Sequence, residues 1–194
     1  MRNIKIEKSL LREKYKNIRS AMSEDEKKAC DTQIFERVIS LYPYRNCQCL
    51  LTYVSKENEV DTIQLIKQAF LDKKKVAVPK CVENHKMDFY FINSLDDLEK
   101  GAFGLLEPKT DICRKAGNFT NAVCIVPAMS FDFRGFRIGY GGGYYDRFLS
   151  GFSGKKIGIC YSNCIQWKLP KGIYDTSVDM VVTEKYFRRC ALPH

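Results

Sequence analysis

A chain of 194 residues, 45% apolar and 28% charged, is long enough for one well-cored domain and short for two. No apolar run approaches the roughly 20 residues that a helical bilayer crossing needs, so a membrane-spanning helix is excluded. The formal net charge of +9 directs attention to polyanionic partners: nucleic acid, a phosphorylated cofactor or an acidic small molecule. Residues 1–10 carry charges without a continuous apolar core, so no secretory signal is read there. Glu7 and Glu13 argue against a transit peptide, and the expected compartment is the cytoplasm.

Residues 4–22 read as an amphipathic helix. Leu11, Tyr15, Ile18 and Met22 form one apolar face, and Lys5, Lys8, Arg12, Lys16 and Arg19 recur along another. Residues 23–26, Ser-Glu-Asp-Glu, match a capping box, so a second helix is expected from there to about Leu41. Residues 49–54 have the length and apolar content of a strand. Residues 62–71 look helical, with Ile63, Ile66 and Phe70 on one side. Strands are expected at 76–79 and 87–92, and Ser94 can cap a short helix. Residues 101–120 mix Gly, Pro and charges without a period and read as a long loop, functional or mobile. A strongly apolar strand at 122–126 ends at Pro127. A loop with Phe131 to Gly135, a glycine-rich segment and a short helix near 144–149 follow it. Residues 157–161 and 180–183 supply two last strands.

Short, non-alternating apolar strands separated by helices predict a three-layer α/β fold. It would be a single domain over residues 1–194, with a mostly parallel sheet and helices on both faces. Ligands in such sheets bind beyond the carboxyl ends of strands, which makes the loop after 122–126 the first place to look for a site.

The nine cysteines are odd in number and irregularly spaced, with no Cys-x-x-Cys pair, and His85 and His194 lie far apart. Cys49, Cys124 and Cys160 fall in apolar runs, where a reduced cysteine acts as a small hydrophobe. Chemistry must therefore come from other residue types.

The segment Arg137-Ile138-Gly139-Tyr140-Gly141-Gly142-Gly143-Tyr144-Tyr145-Asp146 is the best candidate. Four glycines in five residues permit positive φ angles and close backbone approach to a ligand. A helix beginning at about Gly143 would offer N–H groups to phosphate oxygens. The segment is neither a Walker A loop nor the dinucleotide fingerprint. A glycine cluster by itself is equally a tight turn. Arg137 can bind phosphate, Tyr144 and Tyr145 can stack or hydrogen-bond, and Asp146 can hold magnesium. Against these stand helix packing for Tyr145 and a favourable first-turn charge for Asp146.

This segment, with Val126-Pro127 and Phe131-Asp132 before it, resembles the signature of the 5-formyltetrahydrofolate cyclo-ligase (5,10-methenyltetrahydrofolate synthetase) family. The resemblance continues through residues 8–12, 57–62, 78–80 with Met87, and 174–179, in order along almost the whole chain. It implies an ATP- and magnesium-dependent ligase acting on 5-formyltetrahydrofolate, a monomer with no nucleic-acid or membrane partner. In the family, ATP phosphorylates the formyl oxygen, the neighbouring amine attacks the activated carbon, and phosphate leaves. Phosphoryl transfer needs positioning and charge neutralisation, so neither histidine nor cysteine is required.

Carried over by position, the resemblance implies Lys8 and Arg137 as catalytic cations. ATP contacts would come from Lys8, Arg12, Arg137, Ile138, Gly139, Tyr140, Gly141, Gly142, Gly143, Tyr144 and Tyr145. Folate contacts would come from Val54, Glu59, Tyr140, Gly141, Gly142, Gly143 and Tyr144, and magnesium would be held by Asp146 and Asp175. Lys8 and Arg12 sit four apart on one helical face and can reach one ligand, whereas Lys5, Lys16 and Arg19 read as solvated surface charges. Glu59 is equally an exposed loop acid, Val54 equally core, and Phe103 either covers the substrate or anchors its loop. Trp167 reads as a packed surface aromatic. Tyr140 and Gly142 depart from the basic residues that some family members carry there. Two other readings remain at this stage. One is a kinase-like or sugar-phosphate enzyme on a similar scaffold; the other is a nucleic-acid-binding module marked by the basic first helix.

Overall fold

Runs of Val, Ile, Leu and Cys too short for a core helix bury themselves by pairing side by side, and the helices between them cover the result. The computed structural model describes residues 3–101, 104–117 and 119–190. The chain begins with α1 (Ile4–Ser20), α2 (Glu24–Ser40) and α3 (Tyr42–Asn46). There follow β1 (Cys49–Leu51), α4 (Ile63–Leu71), β2 (Lys75–Val82), β3 (Lys86–Ile92), β4 (Leu98–Lys100) and β5 (Leu106–Pro108). The remainder is β6 (Ala122–Pro127), β7 (Ser130–Asp132), β8 (Arg137–Ile138), α5 (Tyr144–Ser150), β9 (Lys155–Ile159), β10 (Ile165–Gln166), β11 (Met180–Val182) and β12 (Phe187–Arg189).

A seven-stranded sheet runs in the order β12-β11-β9-β6-β1-β2-β3. The pairs from β11 to β2 are parallel, and the edge strands β12 and β3 are antiparallel to their neighbours. β1 and β6 are buried at every residue, which explains why the central strands do not alternate. The chain moves from β1 through α4 to β2 in one direction, then from β6 through α5 to β9 in the other. Right-handed crossovers in opposite directions put α4 and α5 on opposite faces. The result is the expected three-layer, mostly parallel α/β domain. Among the described residues, no helix is long and apolar enough to cross a membrane.

Local chemistry sets the boundaries. The Asn3 side chain caps α1 by accepting from Lys5 N at 3.1 Å, and Ser23 caps α2 by accepting from Glu26 N at 3.2 Å. Three acids, Glu24, Asp25 and Glu26, complement the dipole in the first turn of α2. Ser94 makes a full capping box over a short 3₁₀ turn, Leu95–Asp97.

Four expectations are corrected. The strand expected at 49–54 ends at Leu51. Beyond it Tyr53 O accepts from Thr62 Oγ1 at 2.7 Å rather than from a neighbouring strand. The stretch read as loop, 101–120, contains β5, which pairs with β4. The loop expected after β6 contains β7 and β8, which join β10 in a three-stranded sheet. These strands are two or three residues long, too short to carry a period. Finally, Arg19 is not a solvated charge. It is 6% exposed, donates to Ala128 O just beyond β6, and lies over the Tyr161 ring at 5.9 Å. Its signal was its place four residues after Tyr15, which puts it on the apolar line of the helix.

Candidate active site

Strand order reverses at β1, with β2 on one side and β6 on the other. That switch point opens a crevice at the carboxyl ends of the strands, where α/β sheets receive ligands. A cavity of about 600 Å³ lies there, walled by Tyr53 and Val54 after β1 and by Pro127 at the end of β6. The volume is within the range of small-molecule sites. Lys8, Arg12, Val54, Glu59, the whole run from Arg137 to Asp146 and Asp175 all line it. Residues from the first helix to the tail of the chain thus share one chamber.

On one side, cations and carboxylates meet. Lys8 Nζ lies 2.5 Å from Asp175 Oδ2, an oxygen that also accepts from Gly172 N at 2.9 Å. One turn along α1, Arg12 Nε donates to Gly139 O at 2.8 Å. Arg137 donates to Asp146 Oδ1 and to Thr176 O, both at 2.8 Å. Thr176 N donates to the same Asp146 oxygen at 3.0 Å. Since Thr176 follows Asp175, this clasp brings two carboxylates 29 positions apart to one wall. Asp146 Oδ2 and Asp175 Oδ1 have no hydrogen-bond donor among the described residues.

The glycine run crosses between the two sides. Gly141 has φ 108° and Gly143 φ 70°, values that admit glycine and strain other residues. A Cβ on Gly142 would stand 2.7 Å from the Tyr144 ring. Among the described residues, the N–H groups of Gly141, Gly142 and Gly143 have no protein acceptor, and all three residues line the cavity. Gly143 is the N-cap of α5, as expected. Ile138 is a core side chain that anchors β8. Tyr144 meets His85 edge to face, with ring centroids 5.6 Å apart. The Tyr145 hydroxyl is buried and has no partner among the described residues. Burial, the largest cause, holds its pKa well above the ordinary phenol value.

The other side is more apolar. Glu59 is not an exposed loop acid; it is 8% exposed. Its Oε2 accepts from Lys56 N at 2.9 Å and its Oε1 from the Tyr140 hydroxyl at 2.5 Å. Burial and then Glu59 raise the Tyr140 pKa, so the phenol stays a donor. Val54, Met87 and Leu106 supply apolar surface. Sequence reasoning missed Glu107 on β5, a buried acid that lines the cavity and accepts from Cys81 N at 3.3 Å. Its only signal was a lone acid in Leu-Leu-Glu-Pro within a segment read as loop. Phe103 lies outside the described residues, as does His194. Trp167 is 77% exposed and packs edge-on against Phe133.

Cysteine chemistry has no place here. Every cysteine is unpaired, and burial pushes the Cys49 thiol up to about 11 and those of Cys124 and Cys160 further. Among the described residues, no three His, Cys, Asp or Glu side chains cluster as a metal cage.

The fold and this chamber define an α/β enzyme with a switch-point site, polar on one side and apolar with two buried acids, Glu59 and Glu107, on the other. The profile of the 5-formyltetrahydrofolate cyclo-ligase family matches residues 4–184, and the chain belongs to that family. It is similar to a probable 5-formyltetrahydrofolate cyclo-ligase of Schizosaccharomyces pombe, 30% identical over 80% of this chain and 84% of the relative. It is also 30% identical to the 5-formyltetrahydrofolate cyclo-ligase of Saccharomyces cerevisiae, over 90% and 94%. The NMR structure of Aquifex aeolicus 5,10-methenyltetrahydrofolate synthetase superposes with a TM-score of 0.80 and 33% identity, covering 96% of each chain.

Proposed function

We propose that the enzyme converts 5-formyltetrahydrofolate to 5,10-methenyltetrahydrofolate by ATP-driven phosphorylation of the formyl oxygen. The observation that carries this reading is the two-sided chamber, with a glycine run between a charged wall and a buried acid. The formyl oxygen attacks the terminal phosphorus and ADP departs. The amine at position 10 then bonds to the formyl carbon and loses its proton, while the carbon–oxygen bond breaks and phosphate leaves. Phosphorylation is needed because an amide-like oxygen is a poor leaving group.

In this reading Lys8, Arg12 and the N–H groups of Gly141 to Gly143 hold the polyphosphate. Lys8 exchanges its Asp175 partner for phosphate oxygens. Arg137 acts chiefly by holding Asp146 in place, with Tyr144 and Tyr145 beside the nucleotide. A buried phenol without a partner is costly, which supports a ligand or water contact at the Tyr145 hydroxyl. On the apolar side Val54 forms a wall, and Glu59 accepts from the ring and amino N–H groups of the pterin.

Magnesium fits the charged wall. It binds through one or two carboxylates plus phosphate and water rather than in an all-protein cage. Asp146 Oδ2 and Asp175 Oδ1 are the oxygens suited to it, directly or through water. When bound, it would neutralise charge on the transferring phosphoryl group.

The test is direct. Purified protein with 5-formyltetrahydrofolate, ATP and magnesium should produce the near-ultraviolet absorbance of the methenyl product. Leaving out ATP or chelating the metal should abolish it. No product under the complete conditions overturns the proposal.

A further inference from the structure

Glu59 poses a local problem: a carboxylate buried among apolar and aromatic groups needs donors to stay ionised and fixed. Two donors hold it. Lys56 N is its neighbour in sequence, whereas the Tyr140 hydroxyl arrives from 81 positions away. Each donor takes one carboxylate oxygen, and each oxygen has two acceptor directions. One direction on each oxygen is therefore left for a ligand, and the two oxygens are fixed relative to one another.

Burial and Glu59 raise the Tyr140 pKa, and the charge of the buried Arg19 offsets part of that rise. Tyr140 is 57% exposed, so the contact with Glu59 is not a by-product of core packing. The segment carrying Tyr140 is tied down by Arg12 Nε on Gly139 O.

We propose that Tyr140 is a positioning residue for the folate half of the site. Its hydroxyl holds the Glu59 carboxylate so that both oxygens face two adjacent N–H donors of the substrate ring. The inference rests on the functional reading above and assigns to this side chain a role that acts through Glu59. Tyr140 contributes no charge to the phosphates, so its hydroxyl governs folate affinity and leaves nucleotide affinity alone.

The experiment compares the full-length protein with Tyr140→Phe, Glu59→Ala and the double variant, after thermal melts establish that each is folded. Removing one net hydrogen bond should raise the KM and Kd for 5-formyltetrahydrofolate about fivefold in Tyr140→Phe. The KM for ATP should stay within about twofold, and most of the loss should appear in KM rather than in kcat. In the Glu59→Ala background the Tyr140→Phe change should add little, because there is no carboxylate left to orient. Unchanged or tighter folate binding in Tyr140→Phe overturns the inference, tighter binding meaning that the phenol competes with substrate for Glu59. Full additivity of the two changes also overturns it. No folate binding by the unsubstituted protein overturns the functional reading and this inference with it.

Discussion

Arg137 shows how far a single residue's role depends on its partners. Beside a glycine run it reads as an anion ligand, and its removal is expected to lower turnover without disturbing the fold. Only 4% of its side chain is exposed, however, and the guanidinium is engaged by Asp146 and by Thr176 O. Arg137→Ala would leave a half-buried carboxylate and a carbonyl without donors. Truncating one partner of a buried pair costs about 3 kcal/mol. We expect urea denaturation to show a loss of about 2–3 kcal/mol alongside the fall in turnover, the lower figure because Asp146 keeps some solvent contact. A variant as stable as the parent would restore the simple anion-ligand role. Glu59 illustrates the same dependence. The family resemblance implies a folate contact for it, but apart from that it reads equally as a loop acid, and only the Lys56 and Tyr140 donors show a fixed acceptor.

Elements that local chemistry punctuates were legible, and those made by pairing were not. Ser23 marks the start of α2 in the sequence, and its side chain accepts from Glu26 N there. Ser23→Ala should lower stability by about 1 kcal/mol with no change in KM, since the cap lies away from the cavity lining. A chemical denaturation curve checks the first part, and an unshifted midpoint would mean that water satisfies the helix end equally well. α5 follows the same logic, because Gly143 at φ 70° starts it where the glycine run ends. β5, by contrast, exists because Leu106 to Pro108 meets β4, and that pairing leaves no trace in a three-residue run. The carboxylate of Glu107 reaches the cavity only through that strand.

For the whole molecule, the cysteines act as small apolar groups, with a consequence for pH dependence. Burial raises the thiols of Cys49 and Cys190 to about 11 from an ordinary 9.0, and it also raises the phenols of Tyr15, Tyr44 and Tyr161. A group that binds its proton more tightly when folded favours the folded state below its unfolded pKa. That contribution is lost as pH rises from about 9 through the folded values. The thermal midpoint should therefore be level between pH 7 and 8, as far as these groups govern it, and fall steadily above pH 9. Differential scanning calorimetry across that range checks it, and a midpoint that holds or rises up to pH 11 would contradict it.

The sequence by itself determined the α/β class, the main helices and strands, and the run from Arg137 to Asp146. Periodicity, caps and glycine clusters are properties of neighbouring residues, so a linear reading captures them. Tertiary structure alone decided that Lys8 meets Asp175 across 167 positions and that Tyr140 reaches Glu59 across 81. It also decided that Asp146 and Asp175 share one wall through Thr176, and that Arg19 is buried against Ala128 O and the Tyr161 ring. These arrangements depend on burial and on ion pairs formed when the sheet brings strand ends together. Burial and partner identity are set by packing, which the local pattern does not encode.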